Sequence, residues 1–149
     1  MKKLVSLVLA ATALVIAAPA SAQFAKAEDA IKYRKSVMFV MQQNFGRVAA
    51  MAAGKAPFDA KVAADSAEVA AFMSKLPWSA FVDGSDKGDT KAKAEVWTDR
   101  AKFNENAEKL QADMAKLNAA AKTGNLDTIK AAVGAAGGNC KTCHDAFRS

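Results

Sequence analysis

The stretch Cys140-Lys141-Thr142-Cys143-His144 ends five residues before the C-terminus. Its C-x-x-C-H spacing is typical of the covalent attachment of a c-type haem. Two thiols at this spacing can form thioethers with the two vinyl groups of one porphyrin, and the neighbouring imidazole can bind the iron. On a helix the three side chains share one face, because they lie three and four residues apart. The stretch therefore predicts one haem c, attached through Cys140 and Cys143, with His144 as an axial iron ligand.

Three other interpretations of the two cysteines are weaker. A disulfide across so few residues would close a very small loop and stabilise the fold little. A redox C-x-x-C is expected near a βαβ pattern, and the sequence has no strand pattern. A zinc site needs three or four protein ligands, and the chain contains no further Cys or His. Haem attachment is favoured over all three.

The N-terminal segment has the pattern of an exported protein. Lys2 and Lys3 precede a short apolar run, and Ala20-Ser21-Ala22 forms an A-x-A cleavage site. We therefore expect a cleaved secretory signal peptide over 1–22, one domain over 23–149 and a periplasmic location. The apolar run is shorter than the roughly 20 residues of a membrane span, so no membrane association is expected after cleavage. Export to an oxidising compartment with only two cysteines, both in one motif, fits haem attachment outside the cytoplasm better than a disulfide framework.

Charge gives little indication of a macromolecular ligand. The full chain has 21 basic and 15 acidic residues, a formal net charge of +6. The two signs are interleaved, which is typical of a solvated surface. Nucleic-acid binding would need a clustered basic face, so no nucleic-acid partner is predicted.

Apolar residues in the predicted domain recur at alternating steps of three and four, which indicates amphipathic helices. The predicted helices are A (27–53), B (from Asp59 as N-cap to the proline at 77), C (94–122) and D (from Leu126 through the motif). A loop over 78–93 separates B from C, and a tight turn at Gly124 makes C and D antiparallel neighbours. The predicted fold class is all-α.

The cysteines fall on the same stripe of helix D as its core residues, so the haem is predicted to be inserted in the core of the bundle. Gly134, Gly137 and Gly138 precede the motif; they either make room for the porphyrin or a close helix, or weaken helix D. The predicted inward positions are Ile31, Arg34, Met38, Met41, Phe45, Val48 and Ala52 in A, Val62, Ser66, Val69, Met73 and Leu76 in B, Val96, Phe103, Ala107, Leu110, Met114 and Leu117 in C, and Leu126, Ile129, Val133, Ala136, Cys140, Cys143 and Phe147 in D.

The second axial position of the iron has few candidates. His144 is the only histidine, so the opposite ligand is a Met, a small molecule or nothing. Met38 and Met41 lie on the inward stripe of helix A, where either could ligate the iron or merely fill the core. A haem enzyme would need a distal acid–base group, and helix A offers none, so we expect a protein that is not an enzyme.

Two arginines lie near the predicted haem. Arg34 interrupts an apolar stripe and needs a partner, which a haem propionate would provide; the alternative is that it snorkels to solvent. Arg148 follows His144 by four residues on the same helical face. It either borders the proximal pocket or is a solvated residue that interacts favourably with the helix dipole.

Several short segments, in their order along the chain, resemble the cytochrome c′ family. They are Lys32-Tyr33-Arg34, Phe45-Gly46-Arg47, Leu76-Pro77-Trp78 and the stretch from Cys140 to Arg148 that contains the motif. The resemblance covers nearly all of the predicted domain. It implies an antiparallel up-down-up-down four-helix bundle, a topology of which this family is itself a well-known example, and often a homodimer.

The resemblance also implies a function and further site residues. It implies a five-coordinate, high-spin iron ligated by His144 alone, which binds nitric oxide and carbon monoxide and largely excludes oxygen. Met38 matches the residue that closes the distal face, and Arg34, Lys35 and Glu95 match positions near the haem edge. The alternative is a low-spin, Met/His-ligated electron-transfer cytochrome of the same bundle family, with a redox partner protein.

Overall fold

Four long helices make up most of residues 23–149, the part of the chain that the computed structural model describes. The predicted signal peptide over 1–22 lies outside the described residues. The helices are α1 (Ala27–Ala52), α2 (Ala60–Met73), the short α3 (Glu95–Thr98), α4 (Arg100–Lys122) and α5 (Leu126–Phe147), with a 3-10 turn over Pro77–Ala80. The only β-type pairing in the described part is an isolated antiparallel bridge between Ala92 and Arg148. The all-α prediction is confirmed.

The long helices form a closed ring of contacts. α1 packs on α2, α2 on α4, α4 on α5, and α5 returns to α1. Short connections join α1 to α2 and α4 to α5, and a longer loop with the short α3 joins α2 to α4. This is the predicted antiparallel four-helix bundle, and it places the C-terminal motif on a helix that touches both α1 and α4.

Helix ends follow their capping residues. The Asp59 carboxylate accepts a hydrogen bond from the Val62 amide at 2.9 Å, and the Asn125 side chain accepts from the amides of Asp127 and Thr128. Gly124 has φ +69°, a conformation that glycine adopts without steric cost. These caps confirm the predicted starts of α2 and α5.

Predicted helix C is divided in the structure, so its continuity over 94–122 was wrong. Asp99 leaves the helical conformation, with φ −119° and ψ 56°, and its carboxylate accepts from the Lys102 amide at 3.4 Å. An aspartate that caps a new helix competes with continuation of the preceding one. The short α3 therefore belongs to the end of the loop, and α4 begins at Arg100.

The inward face of α2 also differs from the prediction. Val62 and Val69 are each 37% exposed, whereas they were expected to face the core. The buried residues of this helix are Ala63, Ser66, Ala67, Ala70 and Ala71. Small side chains let α2 approach its neighbours closely, and the larger apolar ones are turned outward.

The buried apolar residues form two clusters. The larger one runs along the bundle and draws on α1, α2, α4 and α5. The smaller one, at the end of α5, is built from Val96, Phe103 and Phe147, with Trp78 and Phe81 packed against it. The C-terminal motif lies where the two clusters meet.

Candidate functional site

Cys140, Cys143 and His144 occupy consecutive turns near the end of α5, on one continuous helix. Both thiols are free and partly buried. Cys140 packs against the larger core cluster and Cys143 against the smaller one. The structure therefore brings the two predicted attachment residues together in an apolar setting.

Burial controls the protonation of the two thiols. It raises the pKa of Cys140, partly opposed by a backbone hydrogen bond, and the nearby Asp113 carboxylate raises it further. Burial, and then the neighbouring Cys140, raise the pKa of Cys143. Both groups are thus protonated at neutral pH and are not the activated thiolates of a redox C-x-x-C site. Among residues 23–149 no cluster of three or more His, Cys, Asp or Glu side chains could hold a metal ion.

His144 lies in the last turn of α5 with part of its ring exposed. Burial of the remainder, followed by the positive charge of Arg148, lowers the pKa of its imidazole, and Asp145 opposes this. The neutral form, which is the form that binds a metal, is therefore favoured at neutral pH. Arg148 lies close by, and its backbone N–H donates to the His144 carbonyl at 3.0 Å.

The donor set fits a c-type haem. Two protonated thiols, three residues apart on one face, adjoin apolar clusters, and a neutral imidazole follows directly. Across the bundle, Met38 of α1 is partly buried and packs against the same cluster as Cys140. Met41 is 6% exposed and belongs to the interior of that cluster.

The glycines of α5 do not interrupt the helix, which continues from Leu126 to Phe147. A Cβ built on Gly137 would lie 3.7 Å from the Phe45 ring of α1, whereas one on Gly134 or Gly138 would meet nothing within 4 Å. A side chain at Gly137 would make only an ordinary van der Waals contact with Phe45, so the role of these glycines, whether to make room for the porphyrin or for a close helix, stays a prediction.

Arg34 is 3% exposed, and its partners lie at the end of the 3-10 turn and in the loop that follows it. Its Nη1 donates to the Ala80 carbonyl at 3.0 Å and to Ser85 Oγ at 2.7 Å. Its Nη2 donates to the Ser85 carbonyl at 2.7 Å and to Thr90 Oγ1 at 2.8 Å. The predicted solvent-exposed alternative is wrong, because the guanidinium is enclosed. That Arg34 pairs with a haem propionate stays a prediction. The four hydrogen bonds to Ala80, Ser85 and Thr90 could not be predicted from the sequence.

Of the other predicted haem-edge residues, one on α1 contacts the same loop and the other follows its end. Lys35 is exposed and forms an ion pair with Asp89. Glu95 is exposed and begins α3, where the loop ends. Their proximity to the haem edge stays a prediction.

Sequence reasoning missed two buried polar residues between α4 and α5. Asp113 is 6% exposed and Asn139 is 4% exposed. The Asn139 side-chain oxygen is buried without a hydrogen-bond partner, while its amide donates to the Asn106 carbonyl at 3.5 Å. Asp113 follows Leu110 by three residues and precedes Leu117 by four, so the helical spacing would have placed it inward.

Comparison with known proteins gives the same family that the motif order indicated. The family model described as cytochrome c′ matches residues 29–148. Cytochrome c′ of Rubrivivax gelatinosus is 55% identical over 127 residues, which cover 85% of this chain and 98% of the relative. The chain belongs to the cytochrome c′ family. Membership implies a c-type haem as cofactor, and with it the binding of iron.

Solved cytochrome c′ structures share the fold. The crystal structure from Rubrivivax gelatinosus has a TM-score of 0.83 at 55% identity, with 85% of this chain and 100% of that chain covered. Two variants of cytochrome c′ from Alcaligenes xylosoxidans, one a nitric oxide complex and one with carbon monoxide bound, each have a TM-score of 0.79 at 43% identity. For each of them the match covers 85% of this chain and 99% of that chain. Within residues 23–149 of this cytochrome c′ family member, no helix is both long and apolar enough to cross a membrane.

Proposed function

We propose that this chain is a periplasmic haem protein that binds nitric oxide and carbon monoxide reversibly and is not an enzyme. One haem c is attached through Cys140 and Cys143, and His144 is the only protein ligand of its iron. The observation that carries the proposal is the donor set on α5, two partly buried protonated thiols followed by a neutral imidazole. The relatives solved with nitric oxide and with carbon monoxide support the choice of ligand.

The distal face is formed by Met38 in this proposal. When bound, the haem supplies an iron atom that can form a bond with a diatomic gas. Met38 lies across the bundle as an apolar lid, and its thioether accepts hydrogen bonds only weakly and donates none. An arriving ligand must displace this side chain and receives no hydrogen bond from it. Ligands that bond iron strongly without such help are favoured, which disfavours oxygen.

Oligomerisation is the second part of the proposal. Phe39 on α1 is 60% exposed and Phe72 on α2 is 59% exposed. Val62 and Val69 add exposed apolar area to α2. Large apolar side chains exposed on two helices that pack against each other favour an interaction site on this helix pair. We therefore propose a homodimer through α1 and α2. Electron exchange with a redox partner protein stays a prediction.

The spin state of the purified protein tests the function. A high-spin optical and EPR spectrum that changes on addition of carbon monoxide is expected. A low-spin spectrum that carbon monoxide does not alter would contradict gas binding and favour the Met/His-ligated electron-transfer alternative.

Mass spectrometry of the exported protein should show cleavage after Ala22 and one covalently bound haem; a chain with free or disulfide-linked cysteines would refute the attachment.

A further inference from the structure

The loop that follows the 3-10 turn contacts two distant parts of the bundle. Arg34, in the second turn of α1, donates three hydrogen bonds to Ser85 and Thr90 of this loop and a fourth to Ala80, directly before it. The guanidinium also lies over the Phe81 ring, with its central carbon 4.6 Å from the ring centroid. No carboxylate is among these hydrogen-bond partners. The charge is balanced by carbonyl and hydroxyl dipoles, so the loop must keep a defined conformation around it.

The far end of the same loop holds the C-terminus. The Lys93 amide donates to the Phe147 carbonyl at 2.9 Å, and the Ser149 amide donates to the Lys91 carbonyl at 2.9 Å. Lys93 Nζ donates to the Asp145 carbonyl at 2.9 Å. Ala92 forms the isolated bridge with Arg148. The last turn of α5, which carries His144, is therefore tied down by residues 91–93.

Thr90 connects the two ends. Its Oγ1 accepts from Arg34 Nη2 at 2.8 Å and also from the Ala92 amide at 3.1 Å. One hydroxyl thus joins the buried arginine of α1 to the residue that pairs with Arg148. Ser85 lacks this second link, because its hydroxyl donates to the Val82 carbonyl, within the start of the loop.

We propose that Arg34 is a positioning residue which acts through Thr90 to fix the C-terminal turn of α5, and thereby the hold of His144 on the iron. The proposal concerns this chain's own contacts and deepens the proposed function, on which its spectroscopic part rests. Loss of the connection frees the turn to move away from the haem. His144 is then released more readily when a strong ligand binds on the opposite side.

The decisive variant is Thr90→Val, because it cuts the connection and leaves Arg34 free to meet a propionate. Ser85→Ala is the matched control: it removes the other hydroxyl that accepts from Arg34 and leaves Thr90 in place. Arg47→Leu controls for loss of an arginine from α1, since its guanidinium donates to Ser66 Oγ of α2 at 3.3 Å and to no residue of the loop. Arg34→Lys keeps the charge but not the planar fork that serves four acceptors.

Two measurements on the haem-loaded protein test the proposal. Hydrogen exchange reports the protection of the Lys93 and Ser149 amides, and Thr90→Val should speed both by about tenfold. The optical spectrum after addition of nitric oxide reports the rate at which His144 is lost, and this should also rise in Thr90→Val and in Arg34→Lys. Ser85→Ala and Arg47→Leu should stay within about twofold of the unmodified protein in both measurements.

Unchanged exchange at Lys93 and Ser149 in Thr90→Val would overturn the proposal, as would an equal effect of Ser85→Ala. Faster exchange without any change in His144 loss would also overturn it, because the loop would then hold the C-terminus without acting on the iron. A protein that binds no gas would instead contradict the proposed function. Exchange at the two amides would still differ between Thr90→Val and Ser85→Ala in that case, so the two failures are distinguishable.

Discussion

The Met38 side chain would behave differently in a gas-binding protein and in an electron-transfer protein. As a lid it must leave its packed position whenever a ligand arrives, which costs on the order of 1 kcal/mol or more. As an iron ligand it would stay in place and raise the reduction potential. Met38 is partly buried and packs against the cluster that contains Met41, a position that fits either role, so a variant must separate them.

Met38→Ala is therefore expected to speed the binding of carbon monoxide and nitric oxide by roughly tenfold, since about 1.4 kcal/mol of barrier is a factor of ten in rate. The resting spin state should stay high. Stopped-flow absorbance measures both ligands. Met51→Ala is the control, because Met51 is a buried methionine near the other end of α1, and its rates should match the unmodified protein. A low-spin protein that becomes high-spin in Met38→Ala would identify Met38 as a ligand.

Arg34 shows how much of a single residue's environment can be predicted from the sequence. Its place in an apolar stripe indicated that it needs a partner, with a side chain that reaches solvent as the alternative, and it is 3% exposed. The partner could not be predicted, because the acceptors are two carbonyls and two hydroxyls in a loop without periodicity. The motif residues were different: helical spacing alone placed Cys140, Cys143 and His144 together.

At the scale of one element, α5 controls the chemistry of its thiols before haem attachment. Alkylating reagents attack the thiolate, and burial raises the pKa of both cysteines. In the haem-free chain, iodoacetamide should react more slowly at about pH 8 with the folded protein than with the same chain in urea. The rate should reach half of its maximum at a higher pH in the folded chain. Equal pH profiles in the two conditions would contradict the burial of the thiols.

The same experiment separates the two cysteines. Trypsin cleaves after Lys141, so Cys140 and Cys143 fall in different peptides. Asp113 raises the pKa of Cys140 and is not among the causes for Cys143. Asp113→Asn should accordingly speed alkylation at Cys140 more than at Cys143, whose pKa responds to Cys140 rather than to Asp113 directly.

The existence of helices α2 and α4 was predicted from the sequence, but the inward face of α2 and the first residue of α4 were not. A hydropathy pattern ranks valine above alanine, so the stripe containing Val62 and Val69 was chosen as the inward face. Close packing between helices selects small side chains instead, and the alanines are buried. The break at Asp99 had a local signal, an aspartate directly before a helix, but Val96 and Phe103 lie seven residues apart, a spacing that also fits one continuous helical face.

For the molecule as a whole, the many alanines give the core little side-chain volume. In the described part of the chain, ten of the 22 buried apolar residues are alanine, so the haem is expected to supply much of the apolar volume. The double variant Cys140→Ala, Cys143→Ala should lose about 3 kcal/mol or more of unfolding free energy, because a group bound only by the folded state stabilises it. Thermal unfolding by circular dichroism measures the loss. Thr142→Ala leaves both thiols intact and is the control; equal melting of the haem-free and haem-loaded chains would refute the expectation.

The exposed apolar surface of α1 and α2 determines the assembly that is expected in solution. Large aromatic side chains near the centre of an interface contribute most of its binding energy, at about 2 kcal/mol or more each. Phe39 and Phe72, which are 60% and 59% exposed, are the candidates. Replacing both with serine should raise the dimer dissociation constant by roughly 700-fold or more, as measured by sedimentation across a concentration series. Lys116→Ser alters an exposed residue of α4 and should leave the dimer intact. An unmodified protein that sediments as a monomer at every concentration would contradict the homodimer, and the two phenylalanines would then need another partner.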